Sequence, residues 1–224
     1  MPESTSTPTR LRIDFVSDVV CPWCAIGLAS LEQALARTRG EVEADIHFQP
    51  FELNPQLGAG GEDAVEHLQK KYGMAAGQVA ANQEAIRQRG AALGFTFDME
   101  RRRRVVNTFD AHRLLHWAGE EGGQRELKHA LLRAYFTDGR DVSDHDTLVE
   151  IVAGAGLPAA RAREILGGDT YADDVRTVEQ FFLQHGINAV PAVIVDRTHL
   201  ISGGQPVEVF ERALREIAAA RQAT

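Results

Sequence analysis

The alternation of hydrophobic and polar residues predicts a short segment of mixed α/β structure at each end of the chain. The N-terminal segment has the pattern strand, helix, strand over the stretches 11–16, 25–39 and 43–48. The C-terminal segment has the pattern strand, strand, helix over the stretches 192–195, 199–202 and 206–220. The β-branched run at 192–195 followed by a turn predicts a hairpin, and Pro206 is typical of a helix start.

Between these two segments the pattern is helical, and glycines stand at most of the breaks between helices. The predicted helices are 62–72, 75–93, 107–120, 124–136, 144–155, 158–166 and 171–185. This block of roughly 135 residues is too structured to be a loop. We therefore expect an inserted helical domain at 53–185, within a discontinuous α/β domain formed by 10–52 and 186–224.

Composition and charge exclude several classes of protein. The net charge of −8 disfavours nucleic acid as a partner, and we interpret the isolated basic run 101–104 as a solvated helix face or loop. No stretch approaches the ~20 apolar residues of a membrane span. Residues 1–9 lack the apolar core of a secretory signal, and we expect them to form a disordered tail. These features favour a cytoplasmic protein, monomeric or homodimeric, with no membrane or nucleic-acid partner.

The only two cysteines of the chain, Cys21 and Cys24, lie at the start of the first predicted helix. Unpaired N–H groups give a helix N-terminus a partial positive charge, which favours the thiolate of the first cysteine. We expect Cys21 to be the exposed nucleophile and Cys24, one helical turn further on, to be the buried resolving thiol. Pro22 fits the first helical turn, and with Trp23 it would tune the redox potential of the pair.

Two other roles for the cysteine pair stay open. The pair could be half of a zinc site, since His112 and His116 have ligand-like i,i+4 spacing, but structural zinc takes four ligands and the chain has no second cysteine pair. A purely structural disulfide is also conceivable, although a bridge across two residues removes little chain entropy. In a reducing compartment, a lone C-x-x-C pair is more often catalytic.

Three motifs resemble the DsbA family, specifically its cytoplasmic FrnE-like branch, over nearly the whole chain. They are the stretches 14–24 and 48–55, and the stretch 186–195 together with 202–205. The resemblance implies an α/β, thioredoxin-like fold with a large all-helical insertion. It also implies that Val190–Pro191 is a cis peptide facing the two cysteines, where an extended substrate could pair with the Val190 backbone.

A glutathione-using relative, 2-hydroxychromene-2-carboxylate isomerase, shares this fold and typically has Ser where this chain has Cys21. The resemblance to that enzyme makes Asn54, Gly204 and Gln205 candidate contacts for glutathione or substrate. A turn-forming Asn and a strand-ending Gly pair are the structural alternatives.

The function that we expect is thiol–disulfide exchange, in the direction of oxidation, reduction or isomerisation, through a mixed disulfide on Cys21 that Cys24 resolves. The partners would be thiol- or disulfide-containing proteins or glutathione as co-substrate, and no metal or organic cofactor is needed. A glutathione-dependent isomerase or transferase is the alternative, and a chaperone-like module is a third. Among proton carriers we single out His47, and we interpret Asp18 as a solvated loop carboxylate.

Overall fold

The computed structural model describes residues 7–58 and 60–223. In chain order, its strands are β1 (Thr9–Ser17), β2 (Val42–Pro50), β3 (Glu62–Asp63), β4 (Arg104–Val105), β5 (Ala192–Val195) and β6 (His199–Ser202). Its helices are α1 (Pro22–Arg37), α2 (Ala64–Tyr72), α3 (Ala76–Ala92), α4 (Phe109–Glu120), α5 (Gln124–Phe136), α6 (His145–Gly154), α7 (Ala159–Leu166), α8 (Ala172–Gln184) and α9 (Val207–Gln222).

Four strands form the main sheet in the order β2-β1-β5-β6. Strand β1 pairs in parallel with β2, and α1 makes the connection between them. The other two pairs, β1 with β5 and β5 with β6, are antiparallel. Because Val16 near the end of β1 pairs with Ala192 at the start of β5, the loops that carry Cys21 and Pro191 meet at one edge of the sheet.

The hydrophobic core runs without interruption from the sheet into the helices α3–α7. One cluster joins Phe15 of β1 and Leu28 of α1 to Leu114 of α4 and Leu131 of α5. Burial of apolar surface stabilises a fold by roughly 25 cal/mol per Å². This shared core therefore stabilises the sheet and the helices together. Whether the stretch 53–185 is a domain in its own right stays a prediction.

Most of the predicted elements are confirmed, with small shifts of their bounds. Helix α5 and strands β5 and β6 have the predicted bounds, whereas α1 begins three residues earlier than predicted, at Pro22. Strand β1 begins at Thr9, inside the predicted tail 1–9, and residues 1–6 of that tail lie outside the described residues. The antiparallel ribbon of β3 and β4 was not predicted, because two residues per strand are too few to show a period.

The interpretation of the basic run 101–104 as solvated is wrong for one residue. Arg102 is only 7% exposed, and its guanidinium lies 5.9 Å from the ring centroid of Tyr135. Arg104 donates hydrogen bonds to the carbonyls of Gly60 and Gly61, and so helps to hold the loop before β3. Arg102 and Arg104 therefore have structural roles, although Arg101, Arg103 and Arg104 are exposed. Among the helices of the described ranges, none has the length and hydrophobicity to cross a membrane.

We expect Gly90→Ala to destabilise the protein, because a Cβ there would lie 2.4 Å from two ring atoms of the buried Phe97. Overpacking of this kind costs about 1–3 kcal/mol. Gly77→Ala is the matched control on the same helix, since nothing lies within 4 Å of its Cβ position; it should stabilise the helix by about 0.5–1 kcal/mol. Urea unfolding of both variants measures the two changes, and equal effects would contradict the packing argument.

Candidate active site

Cys21 occupies the N-cap of α1, directly after the short loop that follows β1. Its backbone is extended (φ −92°, ψ 114°), and its carbonyl accepts hydrogen bonds from the N–H groups of Cys24 (3.1 Å) and Ala25 (3.3 Å). Pro22 is the first helical residue, where a missing N–H leaves no hydrogen bond unmade. The Cys21 sulfur therefore lies at the positive end of the helix, as the sequence predicts.

Both thiols are free and both are buried, Cys21 with 3% of its surface exposed and Cys24 with none. The prediction of an exposed Cys21 is wrong in this respect. The Cys21 Sγ donates a weak hydrogen bond to the Val190 carbonyl oxygen, at 3.8 Å. The Cys21 sulfur is thus held against the segment for which the family resemblance implies substrate binding.

The segment facing Cys21 approaches α1 closely. The Val190–Pro191 peptide is cis, and the Pro191 carbonyl accepts a hydrogen bond from the Gly203 N–H at 2.8 Å. A Cβ on Gly27 would lie 3.1 Å from Pro191 Cγ, and a Cβ on Gly204 would lie 2.9 Å from the Trp23 carbonyl oxygen. Two glycines therefore let the first two turns of α1 contact the Pro191 loop and the turn after β6.

Arg89 of α3 links Trp23 of α1 to the turn after β6. No sequence motif indicates this residue. Its guanidinium lies 5.4 Å from the Trp23 ring centroid and donates a hydrogen bond of 2.6 Å to the Gly204 carbonyl. The neighbouring Gln205 donates its side-chain amide to the Ser202 carbonyl at 2.8 Å, within its own turn. Trp23, Arg89 and Gly204 thus lie together, and a contact of Gly204 or Gln205 with glutathione stays a prediction.

Asn54 is buried and already has hydrogen-bonding partners. Its Oδ1 accepts a hydrogen bond from Lys71 Nζ at 2.7 Å and lies 3.0 Å from the ring nitrogen Nε2 of His67. The same ammonium donates to the Leu53 carbonyl at 2.8 Å. Asn54 therefore positions Lys71, whose charge interacts with Cys21. A direct contact of Asn54 with glutathione stays a prediction.

Asp18 is fully buried beside the cysteines, so its interpretation as a solvated loop carboxylate is wrong. Its carboxylate accepts a hydrogen bond from the Leu53 N–H (2.8 Å) and lies 3.5 Å from His112 Nε2. Burial acts to raise the pKa of Asp18, but the interaction with the neighbouring His112 and the hydrogen bond from the Leu53 N–H outweigh burial and bring it below its ordinary value. Asp18 is therefore a permanent negative charge near the thiols at neutral pH.

Cys24 is held in the protonated form. Burial is the largest cause that raises its pKa well above the ordinary value, followed by the hydrogen bond and the charge of Cys21. A charge from Lys128 of α5 acts in the opposite direction. The two thiols thus have different environments: one stands at a helix N-terminus, and the other is desolvated behind it.

The remaining candidate histidines lie away from the thiols or have other partners. His47 contacts Arg12 (3.2 Å) and Asp45 (3.2 Å), not the cysteines. His112 faces Asp18, whereas the ring of His116 lies 5.2 Å from that of Tyr171. The i,i+4 pair therefore does not converge on the cysteines as zinc ligands would.

Comparison with known proteins identifies the family to which this arrangement belongs. The family model of the DSBA-like thioredoxin domain matches residues 12–215, so the chain belongs to this family of oxidoreductases. The fold is accordingly the thioredoxin-like fold with a helical insertion, as the resemblance implies.

Three similar proteins place this family membership in context. The crystal structure of a probable DsbA oxidoreductase, SCO1869, from Streptomyces coelicolor is 37% identical; it superposes with a TM-score of 0.87, covering 94% of this chain and 90% of that one. The uncharacterized protein YwbO of Bacillus subtilis (strain 168) is 28% identical over 211 residues, which are 92% of this chain and 96% of that protein. A 2-hydroxychromene-2-carboxylate isomerase structure shares the fold alone, with 10% identity, a TM-score of 0.69, and coverage of 95% and 98%.

We expect Asp18→Asn to lower the free energy of unfolding at pH 7 by a few kcal/mol, because it removes one partner of a buried charged group. Because the folded pKa of Asp18 is lowered, its contribution is complete above the unfolded value of about 3.9 and is lost as the pH falls through the folded value. Urea unfolding at a series of pH values should show the difference shrinking in acid. Asp173→Asn, an exposed carboxylate on α8, is the control; a difference for Asp18→Asn that stays constant with pH would contradict this account.

Proposed function

We propose that the protein is a thiol–disulfide oxidoreductase that works through a reversible Cys21–Cys24 disulfide. The observation that carries the proposal is the asymmetry of the pair. Cys21 stands at the N-cap of α1 against the Val190 carbonyl, and Cys24 is fully buried one turn behind it. A helix N-terminus favours the thiolate form of a cysteine, which is the form that attacks. Burial keeps the second thiol protonated.

The proposed reaction has two exchange steps. The Cys21 thiolate attacks one sulfur of a substrate disulfide, a mixed disulfide forms, and the other substrate sulfur leaves as a thiolate that takes a proton from water. Cys24 then loses its proton and attacks the Cys21 sulfur, which closes the protein disulfide and releases the second substrate thiolate. The substrate gains two electrons and the protein loses two; the reverse sequence oxidises a dithiol.

The proposed substrates are proteins with a disulfide or a dithiol, with glutathione as a possible small co-substrate. The Val190 carbonyl already faces the Cys21 sulfur, so an extended peptide bound along this segment would bring its own sulfur to the nucleophile. Lys71 adds a positive charge that interacts with Cys21, and such a charge suits the carboxylates of glutathione.

Membership of the FrnE-like branch and a cytoplasmic location are part of the same proposal. The Pro22–Trp23 dipeptide between the cysteines supports the branch. A lone C-x-x-C pair supports a reducing compartment, where such pairs are more often catalytic than structural.

A titration in glutathione buffers, read by the mass shift after alkylation, tests the proposal directly. We expect a two-electron transition between dithiol and disulfide, whose midpoint decides whether the protein acts as a reductant or an oxidant. If no Cys21–Cys24 disulfide forms at any glutathione ratio, the proposal fails.

The single-cysteine variants assign the two roles. We expect Cys24→Ser to accumulate the mixed disulfide with a substrate, because the resolving thiol is missing, and Cys21→Ser to form no mixed disulfide at all. Mass spectrometry of the protein after mixing with oxidised glutathione checks both. Trapping at Cys24 in the Cys21→Ser variant, at a rate like that of Cys21, would contradict the assignment.

A glutathione-dependent isomerase or transferase is the second candidate, because Gly204 touches the cysteine motif and Asn54 orients a lysine toward it. The Cys21→Ser variant separates the two functions. An isomerase would keep its turnover of an aromatic test substrate with added glutathione, whereas an oxidoreductase would lose disulfide exchange.

A further inference from the structure

Lys128 is a lysine in the interior of the protein. It belongs to α5 in the helical region, none of its surface is exposed, and its Nζ lies 5.9 Å from the ring centroid of Phe48. Among the described residues its ammonium has no hydrogen-bonding partner. A buried charge without a partner is costly, so this lysine requires an explanation beyond packing.

Charged and titratable groups from several elements interact with Lys128 or with its partners. Its ammonium interacts with Cys24 and Cys21 at the start of α1, and with Asp18 in the loop after β1. From α4, His112 reaches the same Asp18 carboxylate at 3.5 Å. From α2, Lys71 interacts with Asp18 and Cys21, and Cys24 is not among its electrostatic partners.

The second exchange step requires a buried thiolate, which the charge of Lys128 can stabilise. Cys24 must become a thiolate before it can attack the mixed disulfide, yet its position is fully desolvated. Asp18 already supplies one buried negative charge, so a thiolate at Cys24 would be a second one. An unpaired cation within reach of both lowers the cost of forming it.

We infer that Lys128 is the charge partner of Cys24, a positioning residue whose ammonium stabilises the thiolate that Cys24 forms when it resolves a mixed disulfide. The inference rests on the proposed function and deepens it. Helix α5 then supplies part of the electrostatics of the resolving step. Burial of Lys128 lowers its pKa, so at high pH the amine loses its charge and with it this effect.

Alkylation of a single thiol at neutral pH tests the interaction without reference to enzymatic activity. In the Cys21→Ser background, Cys24 is the only thiol, and its rate of alkylation at pH 7, away from the high pH at which the Lys128 amine loses its charge, follows its thiolate fraction. We expect Lys128→Met, which keeps the length of the side chain, to lower this rate about tenfold, the loss of thiolate that corresponds to a shift of one pH unit. Lys128→Gln should lower it as well.

Lys71→Met in the same background is the matched control. It also removes a lysine that interacts with Asp18, but one whose charge does not act on Cys24. We expect it to leave the alkylation rate of Cys24 at pH 7 close to that of the parent. Circular dichroism of each variant establishes that the fold is intact before the rates are compared.

The two-cysteine protein provides the kinetic readout. With Lys128→Met, we expect release of the second substrate thiol to slow about tenfold at pH 7, and its pH profile to move to higher pH. The first attack, by Cys21, should slow less, because Cys24 is the first of the electrostatic partners of Lys128. A loss of packing alone would not move the pH profile.

The outcomes distinguish this inference from the proposed function. An unchanged alkylation rate of Cys24 at pH 7 in folded Lys128→Met and Lys128→Gln overturns the inference, whatever the protein does to disulfides. A lowered rate in a protein that forms no Cys21–Cys24 disulfide at any glutathione ratio overturns the proposed function and leaves the electrostatic pairing intact.

Discussion

The close approach of α1 to the Pro191 loop is the contact on which the rest of the site depends. It is possible because Gly27 has no Cβ to press on Pro191 and Gly204 has none to press on the Trp23 carbonyl. The contact holds the N-cap of α1 at the edge of the sheet where β1 ends and β5 begins. The Cys21 sulfur consequently lies at the N-terminus of α1 and against the Val190 carbonyl at the same point.

The helical region is a structural and electrostatic part of this site, not a separate lid. Arg89 of α3 ties the Gly204 carbonyl to the Trp23 ring, and His112 of α4 and Lys128 of α5 extend toward Asp18 and Cys24. All of these side chains stand on helices whose apolar faces belong to the core shared with the sheet. The charges that act on the thiols are therefore as rigidly placed as the thiols themselves.

How much of this the sequence could predict depends on the range of the interactions involved. The C-x-x-C motif at a helix start is local, and the structure confirms its place at the N-cap. The direction of Asp18 was predicted wrongly, because it is set by the Leu53 N–H and by His112, which are distant in the sequence. Lys128 carried a signal that could have been used: it lies three and four residues before Leu131 and Leu132, on the apolar stripe of α5. Arg89 carried none, since a lysine or arginine on a polar helix face is ordinary.

The asymmetry between the two cysteines follows from where a helix begins. A residue at the N-cap meets the unpaired N–H groups of the first turn, whereas a residue three positions later has its backbone inside the helix and its side chain turned toward the core. Cys24 is thereby shielded from solvent, which raises its pKa. Its thiolate consequently forms less readily. In the proposed mechanism Cys24 resolves the mixed disulfide, so the charge of its thiolate has to be compensated by groups outside the motif. Its inferred charge partner, Lys128, stands on α5, so on this proposal the chemistry of the α/β part depends on the helical insertion.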